Sequence, residues 1–146
     1  MRIVIQRVTE ASVTVAAEEY KSCIGKGLLV LAAFIDEDTE DDLVWTARKI
    51  AAMRIFDDEG GVMNLSVKDV EGEILAVSQF TLYADTSSRR PGFSYAAKPD
   101  IAIPLYERFM AQCRERGFEV QHGEFGADMQ VFSQNDGPVT ILLDIE

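Results

Sequence analysis

The order of elements in this sequence predicts an α/β fold: a three-layer α/β/β sandwich, with two mostly antiparallel, barrel-like β-layers and two helices covering one face. Three observations lead there. Only two stretches carry apolar residues at helical spacing, many short runs have β-type alternation, and the order is strands, helix, strands, helix, strands. Two helices suffice to cover one face of stacked sheets. A ferredoxin-like sandwich is the main competing arrangement. At 146 residues the chain reads as a single domain, 1–146, long enough to bury a core.

Met1 to Val8 and Ala11 to Ala17 read as two strands, connected tightly at Thr9-Glu10. Lys26-Gly27 introduces Leu28 to Ile35, a nearly continuous apolar run that suits a strand buried on both faces. In the acidic stretch Asp36 to Asp42, Asp38 and Thr39 are both possible N-caps, and Asp41 and Asp42 suit a helix's positive end. Leu43, Ala47, Ile50, Ala51 and Arg54 then recur at helical spacing, giving an amphipathic helix that ends near Met53.

Arg54-Ile55-Phe56 is a short strand, and Asp57-Asp58-Glu59-Gly60-Gly61 is a turn signal. Glu73 to Tyr83 reads as a further strand, apolar through Ile74, Leu75, Ala76 and Val77, then polar at Ser78-Gln79. Ala84 to Pro99 is a loop rich in Ser, Arg, Pro and Gly. Asp100 is placed to cap a second helix running to about Arg116, with Leu105, Phe109, Met110 and Cys113 on one face. Pro104 falls near its first turn and Gly117 at its C-cap. Phe118 to Gln121, Met129 to Ser133 and Val139 to Ile145 supply the closing strands.

Composition narrows the functional classes. A net charge of −11 argues against a broad nucleic-acid-binding surface. A polyanion would have to dock on a local patch, either Arg89, Arg90 and Lys98 or Arg48, Lys49 and Arg54, each of which also reads as solvated surface charge. No apolar run approaches the roughly 20 residues of a membrane span, and the alternating start lacks a signal-peptide layout, so a cytoplasmic protein is expected. Cys23 and Cys113 lack metal-ligand spacing and read as reduced packing residues.

Two motifs stand out. Asn135-Asp136-Gly137-Pro138-Val139-Thr140 sets a Gly-Pro bond between two apolar runs. A cis bond, accessible only before proline, would point two successive carbonyls the same way and offer a stiff pair of acceptors to an ammonium group. The hexapeptide equally fits a tight turn between strands. In Ser78-Gln79-Phe80-Thr81-Leu82, strand alternation would send Ser78 and Phe80 one way and Gln79 and Thr81 the other. Unpaired amides at such a strand end are donors for a developing oxyanion, though a strand with a polar outer face fits too.

His122, beside Gly123 in an expected turn, is the one histidine and reads as a surface residue. No G-x-S-x-G elbow, phosphate-binding loop, dinucleotide glycine pattern or H-E-x-x-H motif is present. An enzyme with this inventory works without imidazole, metal or cofactor, on a substrate already activated or bringing its own catalytic group.

Together the two motifs resemble the signatures of the D-aminoacyl-tRNA deacylase (D-tyrosyl-tRNA deacylase) family, and the likeness spans essentially the whole chain. The opening Met1 to Val8, Ile24 to Val30, Arg54-Ile55-Phe56, Met63 to Ser66 and Phe125 to Met129 match in order and spacing. The segment Thr86 to Gly92 departs by being about one residue shorter, with Gly92 where a serine is usual. The resemblance implies an α/β/β homodimer that acts on the acceptor end of aminoacyl-tRNA, with no cofactor. Gly137 and Pro138, in cis, would insert into the partner's site, hold the α-amino group and exclude an L side chain. Arg7 would orient them, and Asn135 and Ser78 would complete the substrate-binding set. Gln79, Phe80 and Thr81 would supply the backbone oxyanion hole, assisted by the tRNA 2′-hydroxyl. Glycyl-tRNA should be accepted as well. A non-catalytic amine- or peptide-binding module and a hydrolase with Thr81 as nucleophile are the alternatives.

Overall fold

The computed structural model describes residues 1–15, 17 and 19–145; the expected strand residue Ala16, together with Glu18 and Glu146, lies outside the described residues. The first element corrects the reading of two strands. β1 runs without interruption over Arg2–Val15. Thr9-Glu10 contains no residue that favours a reversal, so the chain stays extended and absorbs the irregularity as bulges.

The bulges let β1 serve two layers. Its first half pairs antiparallel with β3 (Gly27–Ala33), from Arg2↔Ala33 to Val8↔Gly27. Its second half pairs with β2 (Tyr20–Ile24), from Ala11↔Ile24 to Val15↔Tyr20. The last strand, β8, spans Gln130–Asp144 and follows β1 along both halves. The two closing strands expected at Met129 to Ser133 and Val139 to Ile145 are therefore one strand, with the Gly-Pro motif inside it rather than at a reversal.

Helix α1 (Glu40–Ala52) begins with a capping box: Thr39 Oγ1 accepts from the Asp42 amide at 3.2 Å, and the Asp42 carboxylate accepts from the Thr39 amide at 2.9 Å. Asp38 instead accepts from the Ile35 amide at 2.8 Å. After α1, β4 is Phe56–Asp57, starting two residues later and ending one later than expected, and pairs with β5 (Met63–Leu65) across the turn. Asp58 organises that turn by accepting from the Gly60 and Val62 amides at 2.9 and 3.1 Å.

The next strand, β6, ends at Ser78 (Glu73–Ser78), and Phe80–Tyr83 forms a single 3-10 turn. Glu73 to Tyr83 is thus not one strand. The Gln79 amide makes the closing bond to the Ala32 carbonyl at 2.8 Å, where β3 is about to run out as a partner. Helix α2 (Pro99–Glu115) starts two residues earlier than expected, with Lys98 rather than Asp100 as its cap and Pro99 in the first turn. Asp100 is therefore inside the helix, and Pro104 lies in its interior. The missing N–H of Pro99 costs no intrahelical bond, which makes it the better start. β7 is Val120–His122.

β3, β6 and β7 are mutually parallel neighbours, linked through α1 and α2. Both crossovers move in the same direction across the sheet, and right-handed connections then place both helices on one face. Alternation within β3 and β6 separates two cores. Leu28, Val30, Ala32, Ile74 and Ala76 meet Leu43, Ile50, Leu105 and Phe109 of the helices. Leu29, Leu75 and Val77 meet Val8, Ala11, Val13 and Ile24 of the β1–β2 layer. Cys113 is buried in the helix-side core, and burial pushes its thiol up to about 12. Cys23 lies exposed on β2 and is not a packing residue.

Gly27 marks the tightest approach between β3 and β6. A Cβ there would fall within the contact distance of the Glu73 backbone. Gly27→Ala is expected to lower stability by about 1–3 kcal/mol as backbones are forced apart; urea denaturation with an unchanged midpoint would contradict this packing.

Candidate active site

The chemistry-bearing residues fall into two groups on different parts of the chain. The first is built on β1 and β8. Their pairing runs from Arg2↔Asp144 to Gln6↔Thr140, then resumes at Val8↔Asn135. Arg7 alone therefore faces Asp136, Gly137, Pro138 and Val139, which bulge out of the ladder. Gly137 has φ +122 and the Gly137-Pro138 bond is cis. A side chain at 137 would sit 3.0 Å from Arg7 Nη2 and from Val139, so both backbone angle and space require glycine.

Arg7 is only 6% exposed. Its Nε donates to the Asp136 carbonyl at 3.0 Å and its Nη1 to the Ile55 carbonyl at 2.7 Å. Asp57 and Asp136 carboxylates each lie 3.5 Å from the guanidinium. The Arg fork thus ties the bulge to the segment leading into β4, and carboxylates on both sides balance its buried charge. Gly137 and Pro138 themselves are exposed, and Asn135 is exposed beside them in register with Val8.

The second group surrounds a cavity of about 480 Å³ at the end of β6. Ser78 and Phe80 line it, with Phe93, Lys98, Phe125 and Met129 among its other walls. The rings of Phe80 and Phe93 meet edge to face, centroids 5.3 Å apart. From behind, the Tyr106 hydroxyl donates to the Ala76 carbonyl at 2.9 Å, anchoring α2 to β6. Burial raises the Tyr106 hydroxyl far above its ordinary value, so it stays a donor.

Gln79 and Thr81 do not line this cavity. Gln79 Nε2 donates to Thr81 Oγ1 at 3.2 Å, an arrangement that positions the hydroxyl but cannot deprotonate it. Because Phe80 and Thr81 open the 3-10 turn, the turn's own i→i+3 bonding leaves their amides unused. His122 closes β7, where its Nδ1 lies 2.8 Å from the Gly123 carbonyl.

Gly137 and Pro138 do not line the cavity either, so one chain does not bring the two groups into a single pocket. Sequence reasoning missed Phe93, Lys98, Phe125 and Met129 as cavity walls, and Asp57 and Ile55 as partners of Arg7. Phe125 to Met129 already stood out as a matching segment; the partners of Arg7 carry no local signal.

Residues 4–144 match the family model described as D-Tyr-tRNA(Tyr) deacylase. A relative from Chlorobaculum parvum, named D-aminoacyl-tRNA deacylase, is 57% identical, covering 99% of this chain and 97% of its own. One of the same name from Thermus aquaticus is 55% identical, covering 99% of this chain and 95% of its own. A solved structure named c-Myc DNA Unwinding Element Binding Protein superposes with a TM-score of 0.92 at 44% identity, covering 100% of this chain and 99% of that one. The structure of a probable eukaryotic D-amino acid tRNA deacylase shares the fold, with a TM-score of 0.86 at 21% identity and coverage of 99% and 98%. The class is a hydrolase acting on the aminoacyl-tRNA ester bond. The chain belongs to the D-Tyr-tRNA(Tyr) deacylase family.

Arg7 donates to the buried Ile55 carbonyl and the partly buried Asp136 carbonyl. Arg7→Ala should cost about 2–5 kcal/mol in urea denaturation, and Arg7→Lys, lacking the planar fork, should recover only part of it. Equal stability of the alanine variant and the parent would show that the bulge does not rest on this side chain.

Proposed function

We propose that this chain hydrolyses D-aminoacyl-tRNA to free amino acid and tRNA, accepts glycyl-tRNA and rejects L-aminoacyl-tRNA. The observation that carries this reading is the Gly137-Pro138 bulge, held out of the β1–β8 ladder by buried Arg7. Outside the ladder, the Gly137 and Pro138 carbonyls are free to accept from a substrate ammonium group. Since they do not line the cavity of their own chain, they serve the cavity of a second copy. The functional unit is thus a homodimer with isologous exchange of the two bulges.

In that shared site the α-ammonium group sits on the carbonyl pair and Asn135 borders it. Main chain occupies the space an L side chain would need, whereas a D side chain or hydrogen points away. The terminal adenosine lies in the cleft bordered by Ser78, Phe80 and Phe93. Water adds to the ester carbonyl, the oxyanion is met by the amides near Gln79, Phe80 and Thr81, and the bond to the ribose oxygen breaks with a proton passing to that oxygen. The vicinal 2′-hydroxyl of the substrate assists this proton movement, so position and amide donors suffice. The tRNA acceptor end is the partner, and the cytoplasm is where that substrate is met. No helix among the described residues is long and apolar enough to cross a membrane.

Purified protein should release D-tyrosine from D-tyrosyl-tRNA and glycine from glycyl-tRNA, with L-tyrosyl-tRNA at least about 100-fold slower, or some 2.7 kcal/mol in kcat/KM. Comparable cleavage of the L-ester would end the exclusion reading, and no release at all would favour a binding module for amines or peptides. Thr81→Ala should keep substantial activity, whereas complete loss would make Thr81 the nucleophile. A 2′-deoxy terminal adenosine should slow turnover; an undiminished rate would remove substrate assistance.

A further inference from the structure

A second, larger cavity of about 660 Å³ lies next to the cleft. Ser94 and Ala96 line both cavities, so the two are back to back across one stretch of chain. The 3-10 turn is shared in the same way, with Phe80 on the cleft and Tyr83 on the neighbour. The volume lies in the range of about 300–1,000 Å³ typical of small-molecule sites.

Its walls select one kind of chemistry. Tyr95 borders it with 65% of its surface exposed, a large aromatic face without a packing partner of comparable extent. Arg2 is the one cation on the wall: its terminal nitrogens donate to the Leu82 carbonyl at 2.8 Å and pair with Asp144 at 3.1 Å, the guanidinium stacks 4.6 Å over the Tyr83 ring, and its Nε is buried without a hydrogen-bond partner and so is not presented to the cavity. Asp36, Glu37 and Asp85 add three carboxylates. The Ser87 amide donates to Asp85 at 3.0 Å, and this bond, with that of the Ser87 hydroxyl, holds the Asp85 carboxyl below the usual carboxylate range. Such walls repel phosphate. They suit a flat ring that stacks on tyrosine and donates from an exocyclic amino group, as cytosine does from N4. The closed loop between Asp85 and Gly92 carries exposed Arg89 and Arg90 at its tip, available to the sugar-phosphate chain outside the cavity.

We infer that this cavity is a base-reading subsite for the cytidine preceding the terminal adenosine of the substrate, stacked on Tyr95 and read through its amino group by the carboxylates. The inference rests on the deacylase reading of the adjoining cleft. It gives that cleft a register for the single-stranded end, since the two subsites take successive nucleotides.

The test compares D-tyrosyl-tRNA with D-tyrosyl-adenosine, which reaches the cleft but lacks the preceding cytidine. Tyr95→Ala, and separately Asp36→Asn with Glu37→Gln, should lower kcat/KM on the tRNA about tenfold, chiefly through KM, the size expected for one lost stacking or base contact. Both should leave D-tyrosyl-adenosine within about twofold of the parent. Replacing the penultimate cytidine by uridine should slow the parent and have little further effect on the carboxylate variant. Equal losses on both substrates, or none on either, would overturn the subsite. Tighter tRNA binding by the carboxylate variant would also overturn it, since that result marks a phosphate site. A parent protein inactive on both substrates would instead bring down the deacylase reading, and the subsite with it.

Discussion

A single buried guanidinium organises the part of this molecule on which the proposed recognition depends. Arg7 occupies the one β1 position that faces four residues of β8, and it fills the resulting space with charge-assisted bonds to the Asp136 and Ile55 carbonyls. Without it, the Asp136 and Ile55 carbonyls would lose their donor, which is costly away from water, whereas the half-exposed Asp57 and Asp136 carboxylates would be left to solvent. The interaction joins three segments distant in sequence: the first strand, the turn region after α1 and the last strand. It also adds to the demand for glycine at 137 set by φ +122, because Arg7 Nη2 would lie only 3.0 Å from a Cβ there.

The cleft follows from a different constraint, the end of a sheet. β6 loses its partner after Ser78, and the chain turns into a 3-10 segment whose first amides are not consumed by the turn. Phe80 and Phe93 then wall the cleft on one side, while Tyr83 and Tyr95 wall its neighbour. Rigid elements thus present main-chain groups at two places: donors at the end of β6 and acceptors on the bulge of β8. Joined across two copies of the chain, such groups can discriminate handedness without relying on the titration of any side chain. That economy of means fits a substrate whose acyl group is already activated.

Much of the fold was legible because local and tertiary preferences agree. The apolar stripe of α1 and the doubly buried run of β3 each read correctly from spacing, and Thr39 was one of the two N-caps the sequence offered. Two of the errors share one cause, in that sequence irregularities read as strand ends. Thr9-Glu10 and Asp136-Gly137-Pro138-Val139 look like breaks, yet both are bulges inside long strands that hold each other extended. Conversely, Phe80-Thr81-Leu82-Tyr83 reads as a continuing strand and coils instead, because β3 offers it no further partner. The two site motifs were visible as anomalies. Their surroundings were not, since Asp57, Ile55, Phe93 and Phe125 arrive only through the topology.

The central claim is that main-chain acceptors of one copy complete the cleft of another. Co-expressing two inactive variants tests it most directly. Gly137→Ala removes the bulge geometry but leaves its own cleft, whereas Phe80→Pro removes an amide donor at a turn position that tolerates proline and leaves its own bulge. Random pairing should restore about a quarter of parental D-tyrosyl-tRNA hydrolysis, since half the dimers would each hold one intact site. Activity no higher than that of either variant alone would show that each chain completes its own site, and the account would fail.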